Sequence, residues 1–511
     1  MKPNPKIVIC CLLAILPCSS SFADENSATY SIQCDIGPDV GQSFGSLFES
    51  RNSEGRVVVG AGFQDVYNTR FRNDRHTLQF YVRPNAGDER FTIRRTPHPD
   101  LDCGVYLFDH DSSIYAWTSV GNNSVRKWDE TAKKWIAQLP RSMAAVRSGD
   151  GVMRLGDGRL VFGNNKVRYN DRVILTSKDT DYNYYYAHGH LFFYRQLRAS
   201  QGGNTVLYAC PWTPREPQVD LSRAIVFKPK YDREVPFAWG QIGKQALTVS
   251  NQGGLYVFEE GKWRTLLEAN NQVSYQVYSI IQLYDRLLLA QYPTGNLFEY
   301  RGKGKPKQLK GFPPKLPGVS ASARECQTTA IYRGELFAGV WPWAEIWRYD
   351  FDKQKWHSLG RGFTHPKLTD KQTHPYEQHT KRFRLVQNHW GQRITGMIPM
   401  GDELWMSTSA KGTYRWHAKY DFLTEMQRRE YGAVLRLKMP GSLSVPIRWN
   451  GGKLNLKFQV DRKRMAVYQD GKLLASQSLG SQFKVNLDKL KTKWGTGIFG
   501  PLAGKVISRK P

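Results

Sequence analysis

Apolar and polar positions alternate in short bursts, broken by turn residues, over most of the chain. Leu287 to Tyr300 is one such unit: a strand, a Pro-Thr-Gly-Asn turn, and a second strand closed by a tyrosine. Leu336 to Tyr349 repeats that outline and adds Trp356, and Leu247 to Phe258 repeats it and adds Trp263. Leu404 to Trp416 has the same form. Turns precede the strands, as at Tyr284-Asp285-Arg286, Arg333-Gly334-Glu335 and Gly401-Asp402-Glu403. Looser copies start at Ile114, Leu160 and Leu191, and a fainter one at Val57. From Ile114 to Leu404 the starts lie 46, 31, 56, 40, 49 and 68 residues apart. That spacing surrounds the period of about 40–50 residues expected for a four-stranded blade. One such unit cannot bury its own apolar faces, so the units must stack.

Between Ile114 and Leu437 the repeats resemble the blades of kelch and sialidase-type β-propellers. The resemblance implies an architecture and not an activity. The Ser-x-Asp-x-Gly-x-x-Trp box of sialidases is missing, and near where the paired glycine of kelch repeats would belong it appears only as Gly253-Gly254. The expected fold is all-β: a β-propeller of seven blades with a small C-terminal β appendage. The expected organisation is a leader at 1–23, the propeller at 24–440 with a long insertion at about 357–395, and a tail at 441–511. The tail either stands alone or completes a sheet with the strands around Val57 and Leu78. Its Asp470-Gly471 pair, between apolar runs, predicts a hairpin. That hairpin resembles those of laminin-G and concanavalin-like sandwiches.

Lys2 and Lys6, the apolar run Ile7 to Leu16 and the small-x-small site Ser21-Phe22-Ala23 read as a secretory leader. The run is about half of what a spanning helix needs, so no transmembrane segment is expected in the mature chain. The expected location is therefore secreted or periplasmic. Lys and Arg number 73 against 45 Asp and Glu, a formal net charge of +28. Such a field attracts polyanions. For an exported chain that means anionic polysaccharide, anionic lipid or acidic wall polymer, not nucleic acid. Cys34, Cys103, Cys210 and Cys326 remain after the leader. An even number in an oxidising compartment permits three pairings, and Cys34 with Cys103 is preferred by proximity in the chain.

The insertion concentrates candidate chemistry. His365, His374, His379 and His389 are four of the chain's eleven histidines. One reading is anion capture, with Lys381, Arg382 and Arg384 pairing with carboxylate or sulfate. Tyr376 and Trp390 would then stack on sugar faces. A second is a divalent metal held by His365, His374 and His379 with Asp370 or Glu377, although the spacing fits no compact motif. A third is a solvated surface loop.

Farther upstream, His188 and His190 would share one strand face. With Tyr186 as acid and Arg195 as carboxylate neutraliser, either histidine could act as base in β-elimination next to a uronate carboxylate. This resembles the logic of polysaccharide lyases, several of which look like seven-bladed propellers. The same residues also suit a packed strand. Trp341 and Trp343 would form either a sugar platform or inter-blade packing. The basic runs Lys303 to Lys310, Arg462 to Arg464 and Lys489 to Lys493 would extend a track for an anionic polymer. The leading expectation is recognition of a uronate or sulfated polysaccharide on the loop face, with a candidate lyase activity. The alternative is a non-catalytic envelope adhesion or scaffold protein.

Overall fold

A computed structural model describes residues 26–37, 41–64, 66–68, 77–85, 90–118, 124–140, 151–155, 158–163, 165–177, 179–197, 204–232, 234–272, 276–292, 294–383, 388–412, 414–449 and 451–511. The leader and Arg384 lie outside them. Antiparallel sheets follow one another along the chain at 106–136, 151–176, 180–227, 236–267, 276–308, 325–361 and 392–438. Within each, these strands pair in chain order, and first strands of neighbouring sheets contact one another, as Pro236–Ile242, Gln276–Leu283, Glu325–Tyr332 and Gln392–Met400 do in turn. The repeat starts Ile114, Leu160, Leu191, Leu247, Leu287, Leu336 and Leu404 all fall in the second strand of a sheet.

Neighbouring sheets bury one another's faces. Phe162 stacks on Tyr184 with ring centroids 5.0 Å apart, and Tyr185 stacks on Trp239 at 5.8 Å. The 325–361 and 392–438 sheets approach so closely that a Cβ on Gly339 would meet the Ile394 side chain at 2.7 Å. The last sheet packs back on the first, Gln392–Met400 against Tyr106–His110, with Trp405 edge-on to Trp128 at 5.5 Å. Thr92–Arg95 supplies the outermost strand of that last sheet by pairing with Val434–Lys438. The strand preceding the first sheet thus completes the last one. The result is a β-propeller, closed so that few strand edges remain open.

Residues 28–63, 77–82 and the tail lie outside this ring and build a second body. One five-stranded sheet places Ala28–Asp35 between Lys453–Val460 and Lys505–Lys510. The other runs Ser442–Pro446, Thr77–Val82, Val57–Phe63, Gly45–Arg51, Lys491–Trp494. Lys453–Val460 alternates exposed and buried positions, as a strand with one wet face must. The two sheets share a core in which Tyr30 stacks on Phe48 at 4.4 Å and Phe48 meets Phe458 at 5.3 Å. The Asp470-Gly471 turn joins Arg464–Gln469 to Lys472–Ser478, both turn residues having positive φ. Val66–Asn68 leaves this sandwich and pairs with the inner edge of Gln276–Leu283 inside the ring.

The sandwich seats on the ring face that carries the turns between first and second strands. Tyr284 donates its amide to Ile498 O at 3.0 Å, and Gly401 and Ser444 exchange backbone bonds. Arg83 of the sandwich pairs with Asp350 and Asp352, each at 2.9 Å, beside Arg348–Glu335 and Arg333–Glu335 pairs at 3.0 Å. Buried charges persist only when paired in this way. The long connections 361–391 and 411–433 emerge on the opposite face.

The cysteine expectation is corrected: all four thiols are free and buried. Cys34 lies in the sandwich core and Cys103 in the core beneath the opposite face, so they belong to different bodies. Burial pushes the Cys34, Cys210 and Cys326 thiols up to about 12. Among the described residues no helix is long and apolar enough to cross a membrane.

Candidate functional site: a cationic lobe on the loop face

The connection 361–391 leaves the outer strand Lys355–Arg361 and returns at Gln392, folding against 411–433. Arg361 organises its base. Its guanidinium donates to Trp343 O at 3.2 Å, Pro366 O at 3.0 Å, His365 O at 3.1 Å and Gln392 Oε1 at 2.8 Å. It also lies 5.1 Å over the Trp343 ring. Burial lowers its pKa. Glu430 accepts from the Thr364 amide and hydroxyl at 2.7 and 2.6 Å and pairs with Arg95 at 2.9 Å. Glu377, in the short helix Glu377–Thr380, accepts the Trp390 amide at 2.6 Å.

His365 Nε2 lies 3.0 Å from Gln427 O, and its Nδ1 lies 2.7 Å from the Tyr376 hydroxyl. A carbonyl can only accept, so Nε2 carries a proton, and the Glu430 carboxylate also lies 3.3 Å from that nitrogen. Burial lowers the His365 pKa and pushes that of Tyr376 up to about 12.

The structure brings Trp343, Tyr376, Trp390, His365 and His374 together, but as packed core. Trp343 is 1% exposed, Trp390 0%, Tyr376 8% and Trp341 3%. None of the four rings offers a face for stacking on a sugar, which corrects that expectation. The reason is mutual burial: Trp390 packs on Tyr420 at 4.8 Å and on Phe422 and Tyr431 at 5.3 Å. Trp341 lies beneath Lys411, whose ammonium is 4.4 Å from the ring and pairs with Glu325 at 2.6 Å.

The metal expectation is corrected as well. His374 sits against Trp343 at 4.9 Å, and burial drives its pKa down to about 3. His379 lies on the surface. Among the described residues no three His, Cys, Asp or Glu side chains gather as a metal site would need.

The exposed layer holds the chemistry. The His379 ring stacks on half-buried Phe422 at 5.3 Å with an interplanar angle of 6°. Beside it stand exposed Lys381, Arg382, which pairs with Asp421, and Lys419, 5.4 Å over the Tyr420 ring. Lys367, Lys371 and Arg415 in the same two connections are also exposed, as are Asp370, Asp421 and Glu425. Phe422 and Lys419 escaped the sequence reading because they lie in the other connection. Their only signal there is the Lys419-Tyr420-Asp421-Phe422 run.

The candidate elimination set does not assemble. His188 occupies the turn between Thr180–Ala187 and His190–Gln196, on the sandwich side of the ring, with φ +50°. His190 Nδ1 lies 2.8 Å from His188 O, and its ring meets Phe258 at 4.8 Å. Burial lowers both histidine pKa values. Tyr186 is buried and gives its hydroxyl to Trp212 O at 3.2 Å. Arg195 lies five residues along the strand from His190, about 16 Å away at strand rise. It is bound at two points by Asp181, at 2.7 and 2.9 Å. Base, acid and neutraliser therefore face no common space.

No family model matches this chain, and no curated protein matches it. Among solved structures, the extracellular domain of a putative one-component system, BT4673 of B. thetaiotaomicron, is similar with TM-score 0.39 and 12% identity. That alignment covers 78% of this chain and 49% of the other, about half its length. The WD40 β-propeller domain of Doa1 aligns with TM-score 0.37 and 9% identity over 69% of this chain and 97% of that one. The computationally designed protein Ika8 aligns with TM-score 0.34 and 10% identity over 75% and 98%. The fold assignment rests on strand pairing and not on these likenesses.

Proposed function

We propose that this chain is an exported, non-catalytic recognition protein: a seven-bladed propeller whose loop-face lobe captures acidic polysaccharide. The observation that carries the reading is the layering of the lobe. Its rings are locked inside, while the His379–Phe422 pair, Lys381, Arg382 and Lys419 stand at the surface. Exposed cations attract uronate or sulfate groups over distance. Arg382, whose guanidinium pairs with Asp421, would exchange that partner for either oxyanion. The stacked pair offers one ring face to a sugar. The succession of sheets from 106 to 438 supports the blade count. The leader sequence and the net charge of +28 support export toward an acidic polymer. The test is a binding titration with polygalacturonate and, in parallel, dextran. Polygalacturonate binding that weakens as salt rises, with no dextran binding, supports the reading. Equal binding of both polymers, or salt-independent binding, overturns it.

A further inference from the structure

We infer that the cleft between the 276–308 and 325–361 sheets binds a small amphipathic anion, an apolar or ring-shaped body ending in carboxylate, sulfate or phosphate. The cleft has a volume of about 760 Å³, with Arg51 of the sandwich at its rim. That size suits a drug-sized ligand, and a junction between bodies is a common place for one. Its floor is aliphatic: Leu288, Leu297 and Leu336 are buried there. Its wall is aromatic: Tyr349 lies 5.0 Å from Trp356 and 4.9 Å from Phe351, and all three rings are half-buried. Rings left with one side toward open space forgo contacts that an apolar guest would restore.

The rim selects the charge of the guest. Arg51, Arg286 and Lys310 stand there. Arg286 pairs with Glu299 at 2.7 Å and with Asp285 at 3.0 Å, Arg51 pairs with Glu49 at 2.5 Å, and Asp352 pairs with Arg83 at 2.9 Å, so among the described residues Lys310 is the rim cation that no carboxylate engages. Lys310 is exposed and ends the run Lys303, Lys305, Lys307, whose members are exposed along the outer edge of the 276–308 sheet. Of the basic run singled out in the sequence, Lys310 reaches the aromatic cleft. A guest placing its apolar body on the floor would bring its anionic end to Lys310.

The site lies on a different flank from the lobe, so the two readings fail separately. The test measures binding of octyl phosphate, octyl glucoside and inorganic phosphate by calorimetry, to the wild type, Lys310→Glu and Leu309→Trp. Octyl phosphate should bind saturably, octyl glucoside more weakly, and inorganic phosphate not at all. Lys310→Glu changes an exposed side chain and should weaken octyl phosphate binding about three- to tenfold, leaving octyl glucoside unchanged. Leu309→Trp fills the mouth and should abolish both. Absence of saturable octyl phosphate binding to the wild type overturns the inference. So does unchanged octyl phosphate binding in Lys310→Glu, whether or not Leu309→Trp folds. A Lys381→Glu/Lys419→Glu variant of the lobe should bind octyl phosphate as the wild type does.

Discussion

The loop-face lobe and the inter-sheet cleft are made of the same kinds of residue and are organised in opposite ways. In the lobe, rings and histidines pack inward until Trp390 is wholly enclosed, and the cations are left outside. In the cleft, Tyr349, Phe351 and Trp356 keep one side open, and the cations ring the entrance. Interleaved aromatic and basic residues are therefore not in themselves a binding signature. The face a ring leaves uncovered decides whether it can meet a ligand.

Trp390→Ala is the severest way to break this contrast. If the lobe rings are core, it should cost roughly 3–5 kcal/mol in a denaturant titration. Trp356→Ala in the half-open cleft should cost clearly less. Equal costs would erase the distinction. Next comes the seat of the sandwich beside the cleft. Gly334 has φ +66°, and a Cβ there would come within 2.4 Å of the Tyr81 ring. Gly334→Ala should destabilise by about 1–3 kcal/mol through strain and overpacking. A neutral result would mean that the sandwich does not bear on that turn.

A pH series sharpens the account of the lobe interior. His374 is held neutral with its pKa near 3, chiefly by burial and secondarily by the nearby Arg361 and His365. In the unfolded chain it takes up a proton below its ordinary value of 6.5. Its contribution is thus fully present above that pH and erodes as the pH falls toward 3. Stability should decline by up to about 1.4 kcal/mol per pH unit below the ordinary value from this group alone. His374→Asn should flatten that slope in urea melts at pH 7, 6 and 5, and an unaltered slope would assign the acid sensitivity elsewhere. The smallest expected effect on stability is at the surface. His379→Ala should change it by no more than about 0.5 kcal/mol, while weakening polygalacturonate binding. A large loss of stability would place His379 in the core instead.

The ring was readable in the sequence because every unit repeats the same contrast of apolar strand and polar turn. Leu287, Leu336 and Leu404 mark equivalent strands. The origin of the outermost strand of the last sheet was not readable. Thr92–Arg95 is short and largely exposed, so its pattern carries no period. The candidate sites were misjudged for a related reason. Spacing alone cannot tell whether Trp343 and Trp390 face water or each other, since both arrangements need the same residue types. Arg195 suited the role of carboxylate neutraliser for His188 or His190, yet strand rise separates it from His190 and Asp181 already engages it. The cleft stayed hidden because Leu288, Trp356 and Arg51 come from three distant segments.

The most direct test of the central claim is the affinity of Lys381→Glu/Lys419→Glu for polygalacturonate at low salt. Both side chains are exposed, so the fold should be unchanged by circular dichroism and melting temperature. The account predicts affinity lowered about tenfold or more, together with a shallower salt dependence. Wild-type affinity and wild-type salt dependence in that variant would contradict capture by the cationic surface of the lobe.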